Sequence, residues 1–240
     1  MAVVVWVYSG GGEAEVRGFF PFLEKTFPGC IFIRKTPARQ KPGPKANKAG
    51  SYGRTGKSLI EQIKQKLPLA LKAEPNKCDL ILVFDDLDCR DSQIQKTKIL
   101  TELSKILECA ALNKFVGFAA PEIEAWIIAD WNNSIAKNYD FRGRHERMRW
   151  WLSQDKNVRF DIPESFSEYD SDKDSCREKL SDVLIASTIV EHESNLDKAR
   201  FSKGLHTPLL LMAIDPNEVQ KKCPLFRELY NYFNDFCCCP

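Results

Sequence analysis

Three short acidic clusters, each after an apolar run, hold the side chains of this sequence that are best suited to chemistry. The densest is Asp85-Asp86-Leu87-Asp88. Three carboxylates within four residues repel one another unless a cation neutralises them. Asp86 and Asp88, two apart, can turn oxygens toward one hard cation such as Mg²⁺ or Mn²⁺, which takes carboxylates plus water. Asp85 would stand behind them. Asp91-Ser92 offers a cap for a following helix, so capping does not consume the cluster. The plainer alternative is a solvated acidic loop.

The second cluster is Pro121-Glu122-Ile123-Glu124, where acids in a first helical turn are ordinary. If it shares a sheet edge with the aspartates, Glu124 lies within reach of the same metal, with Glu122 in support. The third, Ser9-Gly10-Gly11-Gly12-Glu13-Ala14-Glu15, reads by itself as a glycine turn followed by helix-start acids. It is not the dinucleotide fingerprint.

Four β-rich runs must position these clusters: Val3–Tyr8, Cys30–Arg34, Leu80–Phe84 and Lys114–Ala119. Each lacks strict polar alternation, which suits strands covered on both faces. Helical patterns lie between them. One carries Phe19, Phe20 and Leu23 and should be shortened or kinked by Pro21. Another starts at Ser58, a third carries Ile99, Leu100, Leu103, Ile106 and Leu107, and a fourth opens at Pro121. The expected fold is α/β, an open, mainly parallel four-stranded sheet flanked by helices with a mostly helical C-terminal part. Residues 1–131 form the α/β core, and 132–240 a helical extension packed on it, with helices at 143–154, 174–190, 204–214 and 224–236. Ligands of such a sheet bind beyond the carboxyl ends of its strands.

A chain of 240 residues with 43% hydrophobic and 28% charged residues has the means to bury a core. A net charge of +2 excludes a global polyanion-binding surface, so basic character must be local. No apolar stretch approaches the ~20 residues of a membrane span, and the start of the chain carries no export pattern. The nine cysteines are odd in number, show no metal-finger spacing and end in Cys237-Cys238-Cys239. They read as reduced thiols of a cytoplasmic protein, with a frayed tail.

Positive charge collects in two places. Residues 34–57 carry eight basic side chains and no acid, among prolines and glycines, and read equally as a solvated loop or a phosphate-binding flap with Arg54 and Lys57 as contacts. Gly50 to Ser58 nearly spells a P-loop but has five residues, not four, between Gly50 and Gly56. Arg142, Arg144, Arg147 and Arg149 beside Trp150 and Trp151 could pair phosphate contacts with base stacking, or be a solvated face on core tryptophans.

The order of glycine-rich acidic turn, Asp86-Leu87-Asp88 and Pro121-Glu122-Ile123-Glu124-Ala125-Trp126-Ile127-Ile128-Ala129-Asp130 resembles an uncharacterised prokaryotic family. That family is similar to the Toprim domain of OLD-type nucleases, topoisomerases and primases. The resemblance covers residues ~3–130, and more loosely Lys203-Gly204-Leu205-His206 and Cys223-Pro224-Leu225-Phe226. It implies a Toprim-like core and a Mg²⁺ site for phosphodiester chemistry on nucleic acid or nucleotide, with Asp86 and Asp88 as the metal-holding pair, Glu124 as the helix-start acid and Lys203 as a phosphate-binding base. Related proteins serve in phage defence or repair. Ser9 stands where the Toprim glutamate would end strand one, so Glu13 or Glu15 would act as acid/base instead. The expected function is therefore a Mg²⁺-dependent phosphodiesterase or nuclease. The alternatives are a non-catalytic binding module lacking that glutamate and, third, a P-loop-like NTPase.

Overall fold

The computed structural model of the chain describes residues 2–10, 13–36, 57–189 and 199–238. Four parallel strands, β1 (Val3–Ser9), β2 (Cys30–Thr36), β3 (Leu80–Asp86) and β4 (Asn113–Ala119), form one sheet in the order β2-β1-β3-β4. Helix α1 (Glu13–Thr26) joins β1 to β2, α2 (Lys57–Ala73) precedes β3, and α3 (Ser92–Ser104) connects β3 to β4. The chain leaves β1 toward one edge of the sheet and later returns past it to β3 on the other side. The topological switch therefore falls between β1 and β3, and the crevice there opens at their carboxyl ends.

Strand periodicity divides the core into two layers. Val5, Val7, Leu80, Leu82, Phe84 and Phe115 face α1 and the C-terminal helices. Trp6, Tyr8, Ile81, Val83, Val116 and Phe118 face α2 and α3, meeting Leu59, Ile63, Leu67, Ile99 and Leu103. Both faces are apolar, which is why the strands read as unbroken apolar runs.

Beyond β4 the chain forms α4 (Glu124–Ala129), α5 (His145–Gln154), a small hairpin of β5 (Tyr169–Asp170) and β6 (Ser175–Cys176), α6 (Leu180–Ala186), α7 (Lys203–Ala213), α8 (Pro216–Lys222) and α9 (Pro224–Cys238). These elements share the α1 layer: Trp126, Phe226, Leu229 and Phe233 pack with Phe19, Phe22 and the strands. Helices α1 and α7 approach unusually closely at Gly18, where an added Cβ would lie 2.8 Å from both Leu211 Cδ1 and Pro208 Cα. Gly18, Leu211 and Lys25 (whose amine donates to the Met212 carbonyl) hold the two helices against each other.

Several expectations change. Pro21 does not shorten α1, which runs on to Thr26. Helix α4 opens three residues after Pro121, whose carbonyl is turned to the Asp88 N–H of the neighbouring turn. The stripe on α3 ends at Ser104, leaving Leu107 exposed, and the helix expected at 174–190 is confined to α6 because the β5–β6 hairpin occupies its start. Helix α8 went unanticipated; Asp215 caps it and Pro216 opens it. The cysteines are not all reduced: Cys30 pairs with Cys237 and Cys89 with Cys176, at sequence separations of 207 and 87. Cys237 is thereby fixed to β2 within α9 rather than frayed, a pairing that linear spacing cannot display. Among the described residues no helix is long and apolar enough to cross a membrane.

Candidate functional site

The acidic clusters after β3 and β4 do meet on one sheet edge. The Leu87 N–H donates to the Ala119 carbonyl and the Asp88 N–H to that of Pro121, so the two turns run side by side. Between them Asp86 Oδ1 accepts from the Ile123 N–H at 3.1 Å, and Asp85 Oδ1 accepts from the Asp86 N–H at 3.1 Å. Asp85, Asp86, Glu122 and Glu124 are all buried. Isolated carboxylates in such surroundings cost several kcal/mol each (order of magnitude) unless paired.

Asp88 and Cys89 both take left-handed backbone angles, with φ of 48° and 62°. For residues other than glycine this costs roughly 1–3 kcal/mol each and persists only where neighbours enforce it. Here the enforcing contacts are the Asp88 N–H bond to Pro121, the Arg90 N–H bond to the Leu87 carbonyl and the Cys89–Cys176 bridge. The turn presents Asp88 to Arg90, whose Nη1 lies 3.3 Å from Asp88 Oδ2, while Arg90 Nε also bonds Asp174 Oδ1 at 3.2 Å. Burial nevertheless holds the Asp88 carboxyl above the usual aspartate range, against the pull of Arg90 and Lys179 and with a push from Glu122.

The two glutamates are held differently. Glu122 accepts from the Ser181 N–H at 2.8 Å and from the Ser181 hydroxyl at 3.0 Å, at the start of α6. Glu124, with no exposed surface, accepts from the Thr207 hydroxyl at 2.8 Å. Lys203 bridges them, 3.4 Å from Glu122 and 3.5 Å from Glu124. Lys203 and Thr207 are one turn apart on α7, so that helix supplies both the cation and the hydroxyl. His206 is turned to other partners: its ring stacks on Phe201 and touches Phe141, Nδ1 accepts from the Ser202 N–H, and Nε2 lies 3.2 Å from Asp140.

Ser9, at the end of β1, is buried and bonded reciprocally to Thr36: each hydroxyl donates to the other residue's carbonyl at 3.2 Å. The Gly10 N–H donates to Phe84, which keeps the start of the following turn against β3. Glu13 opens α1, but the side chains of Glu13, Glu15 and Lys57 and the whole of Arg54, with the P-loop-like segment up to Gly56, lie outside the described residues.

The structure thus brings together Asp85, Asp86, Asp88, Glu122, Glu124 and Lys203. It adds Arg90, Asp174, Ser181 and Thr207, which the sequence reading missed. The i, i+4 spacing of Lys203 and Thr207 was the one available signal. Among the described residues no three His, Cys, Asp or Glu side chains converge as a metal-enclosing group. A magnesium ion asks for less: one or two carboxylates, with water and substrate phosphate completing the shell. The hard oxygens of Asp86 and Asp88 suit that donor set.

A family model described as "Domain of unknown function (DUF4276)" matches residues 31–234. The match takes in both acidic turns and Lys203 and starts after β1. Neither the curated proteins nor the solved structures hold a match to the chain.

Proposed function

The chain belongs to the DUF4276 family, and from that premise we propose that it is a Mg²⁺-dependent, Toprim-like phosphodiesterase acting on nucleic acid or nucleotide. The observation that carries the reading is the gathering of four buried carboxylates at the carboxyl edge of a parallel sheet, beside its topological switch. A fold has cheaper ways to cap a helix than burying that much negative charge. Asp86 and Asp88 would hold the metal, which when bound supplies charge stabilisation at a phosphoryl oxygen. Arg90 fixes the Asp88 carboxylate, and the Ile123 N–H fixes that of Asp86. Lys203, paired with Glu122 and Glu124, would border the site as a phosphate-binding base. Glu13 or Glu15, at the start of α1, would handle the proton. The Asp86-Leu87-Asp88 resemblance to Toprim proteins supports the same chemistry, and a role in defence or repair follows only by analogy.

The test is direct. Purified chain is incubated with plasmid, single-stranded DNA and RNA in Mg²⁺, Mn²⁺ or EDTA, beside an Asp86→Ala/Asp88→Ala variant shown by circular dichroism to be folded. Metal-dependent cleavage that the variant lacks is the expected result. Cleavage that survives in the variant sinks the assignment.

One observation favours a second reading, a non-catalytic binding module. Ser9 occupies the place of the Toprim glutamate, and its hydroxyl is spent on Thr36 inside the core. Metal and nucleic-acid binding without cleavage in any buffer would select this reading.

A further inference from the structure

Helix α5 carries a feature that the carboxylate site does not use. Its buried stripe is Met148 and Leu152, and an adjoining side bears Arg147, Trp150 and Trp151, at i, i+3 and i+4, with Asp155 one turn beyond Trp151. Trp150 is 60% exposed, so it is not a core tryptophan. Together with Ala186, Ser187 and Ile189 these side chains line a cavity of about 480 Å³. That is the size range of small-molecule and nucleotide pockets. Arg147 is steadied at the rim by donating to the Ile189 carbonyl at 2.9 Å, and Lys156 stands 5.7 Å over the Trp151 ring.

We propose that this cavity is a nucleobase pocket, which makes the substrate single-stranded nucleic acid with one base stacked on Trp150 beside Arg147 and Asp155. The choice of ligand rests on the phosphodiester reading above. Three features select a base over other occupants. The aromatic face offers stacking to any planar ring. The lining holds one cation and one anion, which suits a neutral group with polar edges, whereas a phosphate would meet the Asp155 carboxylate. The third is position. Ser181, in the first turn of α6, binds Glu122 of the carboxylate site, and Ala186 and Ser187 at the other end of that helix line the cavity. Six residues at ~1.5 Å each separate the two by about 9 Å. Stacked nucleotides at ~3.4 Å each would cover that in two to three steps. A base in a duplex would first have to be unpaired and unstacked, at a cost of about a few kcal/mol, so the pocket would discriminate against double strands.

The experiment reads binding apart from cleavage. A fluorescein-labelled 12-mer, single-stranded or annealed to its complement, is titrated with the full chain in EDTA, following anisotropy and tryptophan emission. The expected result is single-strand binding that quenches tryptophan emission, exceeds duplex binding and weakens roughly 5- to 100-fold in Trp150→Ala. Tyr139→Ala, which removes another exposed aromatic, should bind as the wild type does. Binding is read in EDTA without any cleavage step, so a failure of the hydrolase reading leaves this readout untouched. Equal affinity of wild type and Trp150→Ala, a preference for duplex, or no binding to single strands would each overturn the pocket.

Discussion

The turns after β3 and β4 look alike as sequence, each a pair of carboxylates two residues apart at the end of an apolar strand. Their partners differ. Glu122 and Glu124 are bound by Ser181, Lys203 and Thr207, from 59 to 83 residues further along the chain. Asp85, Asp86 and Asp88 are bound mostly by near neighbours and the adjoining turn: the Asp86 and Ile123 N–H groups and Arg90. The glutamates therefore fasten the C-terminal helices to the sheet and share one lysine. Asp88 instead pairs with Arg90, and burial holds its carboxyl above the normal aspartate range. Of two similar acidic motifs, one ties distant helices to the sheet, and the other is bonded by its own turn and the neighbouring one.

That contrast can be broken most forcefully at Lys203. Lys203→Met leaves two buried glutamates without their cation and should cost about 3–5 kcal/mol in denaturant unfolding. Adding Glu122→Gln and Glu124→Gln should restore much of the loss, as a thermodynamic cycle would show. If Lys203→Met is neutral, the glutamates are not a fastening. A half-buried carboxyl elsewhere provides a comparison held by backbone N–H groups. Glu164 accepts from the Leu225 and Phe226 N–H groups at the start of α9, and burial pushes its carboxyl up to about 7 from 4.5. The folded chain keeps this proton to about pH 7, whereas the unfolded chain releases it near 4.5. Its contribution is thus complete below pH 4.5 and is lost as pH rises toward 7, by up to about 3 kcal/mol. Glu164→Gln should flatten the melting temperature across that interval, and an unaltered profile would reject the assignment. The smallest effect belongs to the aspartates. Asp88→Asn, which keeps the shape and removes a carboxyl whose ionisation burial opposes, should change metal-free stability by less than about 1 kcal/mol. The same change should abolish any rise in melting temperature produced by Mn²⁺. A large destabilisation in EDTA would make Asp88 a fastening too.

Much of this was written in the chain itself. Unbroken apolar runs marked all four strands to within two residues at either end, because a sheet covered on both faces needs no polar alternation. The acids that follow β3 and β4 were legible for the same reason: a parallel sheet collects whatever follows its strands on one edge. What no local pattern carried was the use of each acid. Glu124 read as a metal ligand, yet its surroundings are set by Thr207 and Lys203, residues that only the packing of α7 along Gly18 of α1 delivers. Likewise Cys89 and Cys176 are joined by the way the β5–β6 hairpin folds back toward the Asp88 turn, and Trp150 is exposed because Met148 and Leu152 fill the buried side of α5. Periodicity records how a segment meets an interface averaged along its length. The pairing of one charge with one distant partner depends on how helices cross in three dimensions, and the tertiary structure alone decided it.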